Sequence, residues 1–507
     1  MSTSNEVKPQ PGVFGNIAKP GRSGILGIPV GVSMLGVPFI IVIILMMTRQ
    51  WFWQAGLVAV VGGVGAAVLV LTRKEGRSIY GRTMLKFAQR RKEKAGKHVY
   101  QAGPTGKTRD GRCRLPGLLA PSELSEHRDA YDSPFGMLRV VGQGVKNYSV
   151  VLIAHADGDE LQTKERVDSM VAHWGAWLAQ RGIDDGIRGA QVTVEIAPDS
   201  GLRLRRMMQD NHVDGAPEFS TQVAEAIERE YSRGSPQIST YISITFDGRA
   251  VDGSGKDRGV EEMAEEIGNR LGMIIGGLSD TGAGTAVRAC TAQDIIDYAR
   301  TAYDPTIAAQ VEEARAEGGT GLDWEDAGPT FALDAFDHYR HDRAFSKSWT
   351  MYEGPRGLFY KESLRRAMEP AREGMLRKRI TMLYRPIPSD KTTNVVESAV
   401  NDAQFAGSQK QRPTARSMQR RAAAAKSAQE EAQGAGVTRF GMVITVSCAD
   451  KSRFKQLEKQ VPGLVTQARL KIRQALGNQA VTFQAGLPLG LVVPDHMLLG
   501  DEIRDWM

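Results

Sequence analysis

The sequence predicts an α+β fold: an N-terminal two-helix transmembrane hairpin followed by mixed α/β soluble domains. Two uncharged apolar runs, residues 25–47 and 52–71, each supply about the 20 residues that cross a bilayer as a helix. Beyond Phe135, short β-branched runs alternate with stretches of helical periodicity. Because two adjacent strands come first, this pattern favours α+β over a doubly wound parallel sheet.

The two apolar runs indicate a hairpin rather than a cleavable signal peptide, since the first run is long and lacks a small-residue cleavage site. Lys8, Lys19 and Arg22 precede the first run, Arg49 alone lies in the connection, and the segment 73–97 is strongly basic. Basic residues stay on the cytoplasmic side of short loops. We therefore expect a multi-pass protein of the inner, cytoplasmic cell membrane, with both termini and the soluble region in the cytoplasm.

The basic segment 73–97 also bears on partners. The chain's formal net charge is +7, and this segment accounts for it. Such a segment next to a membrane attracts anionic lipid. It carries few aromatic residues for base stacking, which disfavours nucleic acid and leaves direct nucleic-acid contact undecided. Membrane lipid is the partner that the segment predicts.

Composition bounds the remainder of the protein. The 507 residues, with 41% hydrophobic and 24% charged side chains, suffice for two or three domains with real cores. The 3 cysteines lie far apart without a CxxC pair, so neither a disulfide framework nor a zinc knuckle is indicated. A reducing compartment is the simpler interpretation.

The predicted domain organisation has five parts. They are a cytoplasmic tail (1–23), the transmembrane hairpin (24–72), a basic juxtamembrane segment and linker (73–133), a first α+β soluble domain (134–328) and a second (329–507). Strands are expected at 137–141, 148–154, 191–197, 238–246, 346–352, 379–384, 439–447 and 481–484. Helices are expected at 166–180, 218–229, 260–278, 292–302, 392–405, 417–433 and 453–476.

One stretch, GPTGKT at residues 103–108, looks like a phosphate-binding loop. That loop needs the pattern GxxxxGK[ST], whose intervening residues wrap N–H groups around the phosphates. The first glycine would have to stand at position 101, where the chain has Gln101. A strand should precede the loop and a helix should follow it, but Gly111, Pro116 and Gly117 oppose a helix. The stretch is interpreted as a linker.

A second candidate lies in DAFDHYRHDR, where His338 and His341 accompany Asp337 and Asp342 at a spacing suited to metal ligands on a helix. A third ligand is not evident and the HExxH pattern is missing, so a local polar cluster is the preferred interpretation. A GxSxG nucleophile elbow is also missing. The sequence therefore assigns no catalytic, cofactor-binding or metal-binding residue, no cofactor and no enzymatic activity.

Several motifs together resemble a known family. They are RLPGLLA (114–120), SPFGML (133–138), FDHYRHDRAFSKSWTMYEGPRGLFY (336–360), RKRITMLYRPIP (377–388), RFGMVITVS (439–447) and QALGNQAVTFQAGLPLG (474–490). In this order behind a basic-flanked hairpin, the chain resembles the actinobacterial conjugative-transfer membrane proteins of type IV secretion loci. The likeness covers nearly the whole chain, and its motifs are structural rather than catalytic.

The resemblance implies two type IV secretion parts joined end to end. One is similar to the small two-helix inner-membrane subunit, and the other to the N-terminal, non-motor domain of the secretion ATPase. In that ATPase a segment containing Leu-Pro leads towards the motor domain. Here Leu487, Pro488, Leu489 and Gly490 come shortly before Met507, so the motor is expected to be absent.

The function implied is a non-enzymatic inner-membrane scaffold of a conjugative type IV secretion machine for DNA or protein transfer. Its expected partners are a separately encoded secretion ATPase and other inner-membrane subunits within an oligomeric complex. Two alternatives stay open: a membrane component of type VII secretion, which also pairs two N-terminal helices with a soluble domain, and an enzyme with an unrecognised site.

Overall fold

A computed structural model gives the fold. It describes residues 14–15, 30–70, 72–73 and 77–497, apart from 105, 107, 109, 143, 157, 159–161, 212, 214, 232–235, 251, 356–357, 360, 370–373, 409–414 and 433–435. The predicted tail (1–23) lies almost wholly outside these residues, as does the end of the chain at Met507.

Helices and strands alternate along the chain. The described helices are α1 (Val30–Thr48), α2 (Phe52–Val70), α3 (Ile79–Lys94), α4 (Lys164–Ile183), α5 (Leu202–Asp210), α6 (Glu218–Tyr231), α7 (Val260–Gly276), α8 (Ala292–Tyr303), α9 (Ala308–Ala316), α10 (Arg365–Met368), α11 (Ser389–Ser408), α12 (Ala415–Ala432), α13 (Phe454–Leu464) and α14 (Gln479–Ala485). The described strands are β1 (Phe14–Gly15), β2 (Thr72–Arg73), β3 (Arg77–Ser78), β4 (Val99–Gln101), β5 (Ser122–Arg128), β6 (Pro134–Gly142), β7 (Val145–Ala154), β8 (Ile187–Pro198), β9 (Pro236–Asp247), β10 (Arg288–Ala289), β11 (Phe331–Asp334), β12 (Tyr339–His341), β13 (Ala344–Glu353), β14 (Leu358–Phe359), β15 (Met375–Pro386), β16 (Thr438–Cys448) and β17 (Lys471–Gln474).

A large antiparallel sheet is the centre of the molecule. Its 13 strands follow the order β4-β11-β12-β13-β16-β15-β8-β9-β7-β6-β5, with β10 beside β7 and β17 beside β13. The pairing of β15 with β8 joins Ile380 to Val194, so the sheet continues across the domain boundary predicted at residue 328. The predicted linker 73–133 supplies both ends of this order, β4 and β5.

Helices cover both faces of the sheet. Successive side chains of a strand point to opposite faces, and here the side chains on both faces are buried. Residues paired directly across strands share a face. On the face we call face A, Met137, Val150 and Ile244 are in register, and the helices α4, α7 and α13 pack there. On the opposite face, face B, Leu138 and Val151 pack against α8 and the segment after α14.

The predicted membrane-spanning hairpin, residues 24–72, is wrong. Within the described part of the chain, no helix is long and apolar enough to cross a bilayer. The helices α1 and α2 begin or end inside the apolar runs and have 19 residues each. The topology inferred from the flanking charges depended on the hairpin and is dropped with it.

Two further predictions are corrected near the C-terminus. Residues 481–484 were expected as a strand from Val481, Thr482 and Phe483, yet they belong to the helix α14, where Thr482 Oγ1 donates to the Asn478 carbonyl 2.8 Å away. The expected helix 453–476 ends at Leu464 instead, after Pro462 and Gly463. Proline and glycine both oppose helix continuation. The chain then turns and forms β17 against β13.

Candidate functional site

A segment that lies across face B is the most distinctive part of the molecule. We call residues 486–491 the strap. Its three leucines, Leu487, Leu489 and Leu491, are at most 4% exposed and join the core formed with Tyr303 and Leu115. The strap runs over the sheet without pairing as a strand, so its backbone groups need other partners.

Those partners come from side chains of the sheet. Thr381 Oγ1 donates to the Gly486 carbonyl at 2.8 Å, and Thr245 Oγ1 donates to the Gly490 carbonyl at 2.6 Å. Gln191 Nε2 donates to the Leu487 carbonyl. Burying a carbonyl without a hydrogen bond costs several kcal/mol on some scales and about 1–3 kcal/mol in proteins. Face B thus offers donors where the strap presents acceptors.

Thr381 and Thr245 belong to a wider row of small hydroxyl side chains on face B, which we call the hydroxyl band. Each member is at most 1% exposed. The band comprises Ser149, Thr193, Ser243, Thr245, Ser346, Ser348, Thr381, Thr445 and Ser447. Neighbouring members bond one another, as Ser348 and Thr445 do at 2.9 Å. An apolar face could not satisfy the strap in this way.

Gly490 fits the strap to the band because it has no side chain. Its φ is +68°, in the left-handed region. A Cβ at this position would lie 2.4 Å from Ser149 Oγ and 2.5 Å from Thr245 Oγ1. Both the backbone conformation and the close approach therefore require glycine.

Gln484 ties the start of the strap to the RLPGLLA segment. Its side chain is 1% exposed; Oε1 accepts from the Leu118 N–H at 3.2 Å, and Nε2 donates to the Pro116 carbonyl and lies 3.2 Å from the Tyr303 hydroxyl. Gly117, with φ +68°, allows this approach. Two of the motifs on which the resemblance rests are thus in direct contact, although they lie far apart in the sequence.

A buried ionic cluster lies beside the strap. Glu195 accepts from Arg377, from Arg379 Nε at 2.8 Å and from the Tyr298 hydroxyl at 2.8 Å. Burial alone would raise the pKa of Glu195, but the charges of Arg377 and Arg379 outweigh it and lower that pKa. Glu195 is therefore a carboxylate whose acceptor positions are occupied by fixed protein groups.

Arg379 connects this cluster to the helix before the strap. Its guanidinium lies 5.5 Å from the Phe483 ring centre and 5.8 Å from that of Tyr298, a cation–π arrangement. The side chain is 1% exposed. Phe483 belongs to α14, so the ionic cluster, α14 and the strap form one packed unit.

The two candidate metal histidines lie in separate networks instead of on one helix. His341 belongs to β12; it contacts the Tyr303 carbonyl through Nδ1 and Ser346 Oγ through Nε2 at 2.7 Å. Since a carbonyl only accepts, Nδ1 carries the proton and Nε2 accepts from Ser346. His338 instead bonds Asp337 at 2.8 Å, and that bond lowers the pKa of Asp337 to about 2.

The His341 and Ser346 contact has the distance of a catalytic serine and its base, but its setting is different. Both residues are 0% exposed, and Nδ1 faces a carbonyl rather than a carboxylate. Burial lowers the pKa of His341 to about 4, so the imidazole is neutral at pH 7. The described residues hold no group of three or more His, Cys, Asp and Glu arranged for a metal ion.

The GPTGKT stretch closes on itself. Lys107 lies outside the described residues. The Gly106 N–H donates to the Gly103 carbonyl at 2.9 Å, and the Gly111 N–H donates to the Thr108 carbonyl at 3.3 Å. These N–H groups are used inside the turn rather than pointed at a ligand. Strand β4 does come before the stretch, which the sequence interpretation missed.

The hydroxyl band that receives the strap was not predicted from the sequence. Serine and threonine in a strand usually indicate an exposed face, so a buried hydroxyl row gives no separate signal. The spacing of Thr245 from Gly490 is 245 residues, and a contact of that range is invisible to local patterns.

No family model matches the chain, and no curated protein matches it.

Proposed function

We propose that this chain is a non-enzymatic scaffold of a conjugative type IV secretion machine, on which a separately encoded secretion ATPase docks. It would act at the cytoplasmic membrane with other secretion subunits in an oligomeric complex. The proposal rests on the resemblance described above and on one structural observation: Gln484 of α14, directly before the strap, brings two motifs of that resemblance into contact.

The chemistry of the strap supports a framework role. The carboxylate of Glu195 beside the strap is occupied by fixed partners, Arg377, Arg379 and Tyr298, whereas Nη1 and Nη2 of Arg379 have no hydrogen-bond partner among the described residues. A catalytic carboxylate needs a free position for substrate, whereas that of Glu195 is taken up by its neighbours, and the strap itself is held by Thr381, Gln191 and Thr245. The arrangement holds a chain segment in one place on the sheet.

The docking surface is the place where the strap reaches the surface. The chain continues from Leu491 into a short 3-10 turn, Val493–His496, and Met497 is 50% exposed. Asp495 anchors this turn, since Arg188 Nη2 lies 2.7 Å from it and Asn147 Nδ2 lies 3.1 Å from it. In the ATPase that this region resembles, the corresponding segment leads to the motor, so a separate motor is expected to dock here.

A capture experiment tests the docking surface. The full-length protein and its Met497→Glu variant are compared as baits for the ATPase encoded beside it. Met273→Glu is the matched control, because Met273 is an exposed methionine (64%) on α7 at face A. We expect Met497→Glu to reduce the captured ATPase at least tenfold and Met273→Glu to leave it unchanged. Equal capture by all three proteins would place the docking surface elsewhere, and no capture by the wild type would end the proposal.

A basic stripe on α3 supports a position at a membrane surface. Lys86, Arg90 and Lys94 follow one another at four-residue spacing, and all three are exposed. Met84 and Phe87 are also exposed, at 53% and 64%. Each basic residue near anionic lipid contributes about 1 kcal/mol. Co-sedimentation with vesicles is expected to rise with their anionic lipid content and to fall when the three basic residues are replaced by glutamate.

A further inference from the structure

A small cavity opens on face A, away from the strap. It has a volume of about 200 Å³ and lies between β15, β16, α13 and the chain around α10. Its apolar walls are Met375, Val446, Val461 and Leu464. A volume of this size holds about six or seven waters at about 30 Å³ each, or one small organic molecule.

A buried lysine forms the polar end of the cavity. Lys378 lines it and is 2% exposed. An ammonium has three N–H donors. One of them donates to the Glu369 carbonyl, and among the described residues the other two have no partner. A charged group this deeply buried needs acceptors or an opposite charge.

A neighbouring lysine, Lys347, has the acidic partner that Lys378 lacks among the described residues. Lys347 and Lys378 both lie in register with Val446, on either side of it, so they share face A. Lys347 is 0% exposed and pairs with Glu458 and, at 3.7 Å, with Asp337. Lys378 has no carboxylate within ion-pair distance among the described residues. Helix α13 supplies a carboxylate, Glu458, for one lysine, while the other faces the cavity.

The cavity's remaining charges favour an anion. Arg366 and Lys459 line it and are exposed at its rim, and among the described residues of the lining Glu369 is the one carboxylate. Three cations therefore face a single acidic side chain. Burial lowers the pKa of Lys378 to about 8, so the side chain is still mainly an ammonium at neutral pH.

We propose that this cavity binds a small monocarboxylate with a short apolar group. The two carboxylate oxygens accept the two N–H donors of Lys378 that have no partner among the described residues. The apolar group packs against Met375, Val461 and Leu464. Arg366 and Lys459 attract the anion to the rim. The site is independent of the strap and of the proposed scaffold role, because it lies on the opposite face of the sheet.

The probe is benzoate, with benzamide as the uncharged molecule of the same shape. Ligand-observed NMR measures the binding of each to the full-length protein. Lys378→Met removes the charge and keeps an unbranched side chain one atom shorter, and Lys347→Met is the matched control in the same register. Circular dichroism and the thermal midpoint establish that each variant is folded.

Benzoate is expected to bind the wild type at least tenfold more tightly than benzamide does. The dissociation constant for benzoate is expected to rise at least tenfold in Lys378→Met and to change less than twofold in Lys347→Met. If Lys378→Met does not fold, Lys378→Gln takes its place with the same expectation. Failure of benzoate to bind the wild type, or equal binding to a folded Lys378 variant, overturns the proposal.

Discussion

Gly490→Ala tests whether the strap is held in its groove. A non-glycine residue in the left-handed region costs about 1–2 kcal/mol. The added Cβ would also meet Ser149 Oγ at 2.4 Å and Thr245 Oγ1 at 2.5 Å, both buried and bonded to each other at 3.0 Å. Overpacking of a well-packed site costs about 1–3 kcal/mol. Together these effects are expected to destabilise the docked strap by about 2–5 kcal/mol.

A second glycine separates the two effects. Gly96 has a φ of +66°, nearly that of Gly490, but a Cβ there meets no atom within 4 Å. Gly96→Ala therefore carries the conformational cost alone, about 1–2 kcal/mol. The difference between the two variants, about 1–3 kcal/mol, measures the collision with the hydroxyl band.

Hydrogen exchange followed by mass spectrometry is the suitable assay, because it reports local opening in a chain too long for simple two-state unfolding. Peptides covering 484–497 are expected to exchange at least tenfold faster in Gly490→Ala, since 1.4 kcal/mol corresponds to a factor of ten. In Gly96→Ala those peptides are expected to exchange as in the wild type, and the cost of that variant is read from the peptides that cover Gly96. Unchanged exchange of the strap in Gly490→Ala would refute the docking of the strap against the hydroxyl band, and with it the close contact at Gly490.

Three more predictions concern buried charges. Glu195→Ala is expected to lower the free energy of unfolding by about 3–5 kcal/mol, because it leaves two arginines without their carboxylate. Glu195→Gln is expected to lower it by less. Denaturant midpoints check both variants. Folding lowers the pKa of His341 from 6.5 to about 4, so the unfolded chain binds this proton more readily than the folded one. The free energy of unfolding is therefore expected to fall as the pH is lowered from 6.5 to 4. The fall is expected to be smaller in His341→Gln. Burial lowers the pKa of Lys378 from 10.5 to about 8, so Lys378→Met is expected to gain about 1–2 kcal/mol at pH 7, after discounting for solvent at the cavity mouth. That gain is expected to fade as the pH approaches 10.5, and Lys347→Met, which breaks an existing ion pair, is expected to show none.

Much of the secondary structure could be predicted from periodicity. The strand pair around GQGVKN is present as β6 and β7, and the helix expected at 166–180 is α4, capped at Thr163, whose side chain accepts from the Arg166 N–H. These elements are encoded by neighbouring residues. The misassigned helix α14 shows the limit, because Val481 and Thr482 favour a strand locally and packing around Phe483 decides otherwise.

The sheet's continuity could not be predicted in the same way. The first domain was expected to end at residue 328, where glycines and acidic residues indicate a surface loop. Strands β8 and β15 nevertheless pair over Ala190–Ile196 and Lys378–Tyr384. Their partners are chosen by register between distant segments, which a single sequence does not display. For the same reason, the contact of Glu195 with Arg377 and Arg379 could not be predicted.

The hydroxyl band explains why the strap has one position rather than several. Purely apolar grooves accept a leucine-rich segment in any register that buries its side chains, because the hydrophobic effect is non-directional. Here the carbonyls of Gly486, Leu487 and Gly490 each meet a donor at a fixed place on face B. Shifting the strap by one residue would turn those carbonyls away from their donors and bring leucine side chains against buried hydroxyls. Because each unpaired polar group costs about 1–3 kcal/mol, the shifted states lie several kcal/mol higher. The strap is therefore docked in a single register or released as a unit, and the motor docking that we propose would require such a fixed position.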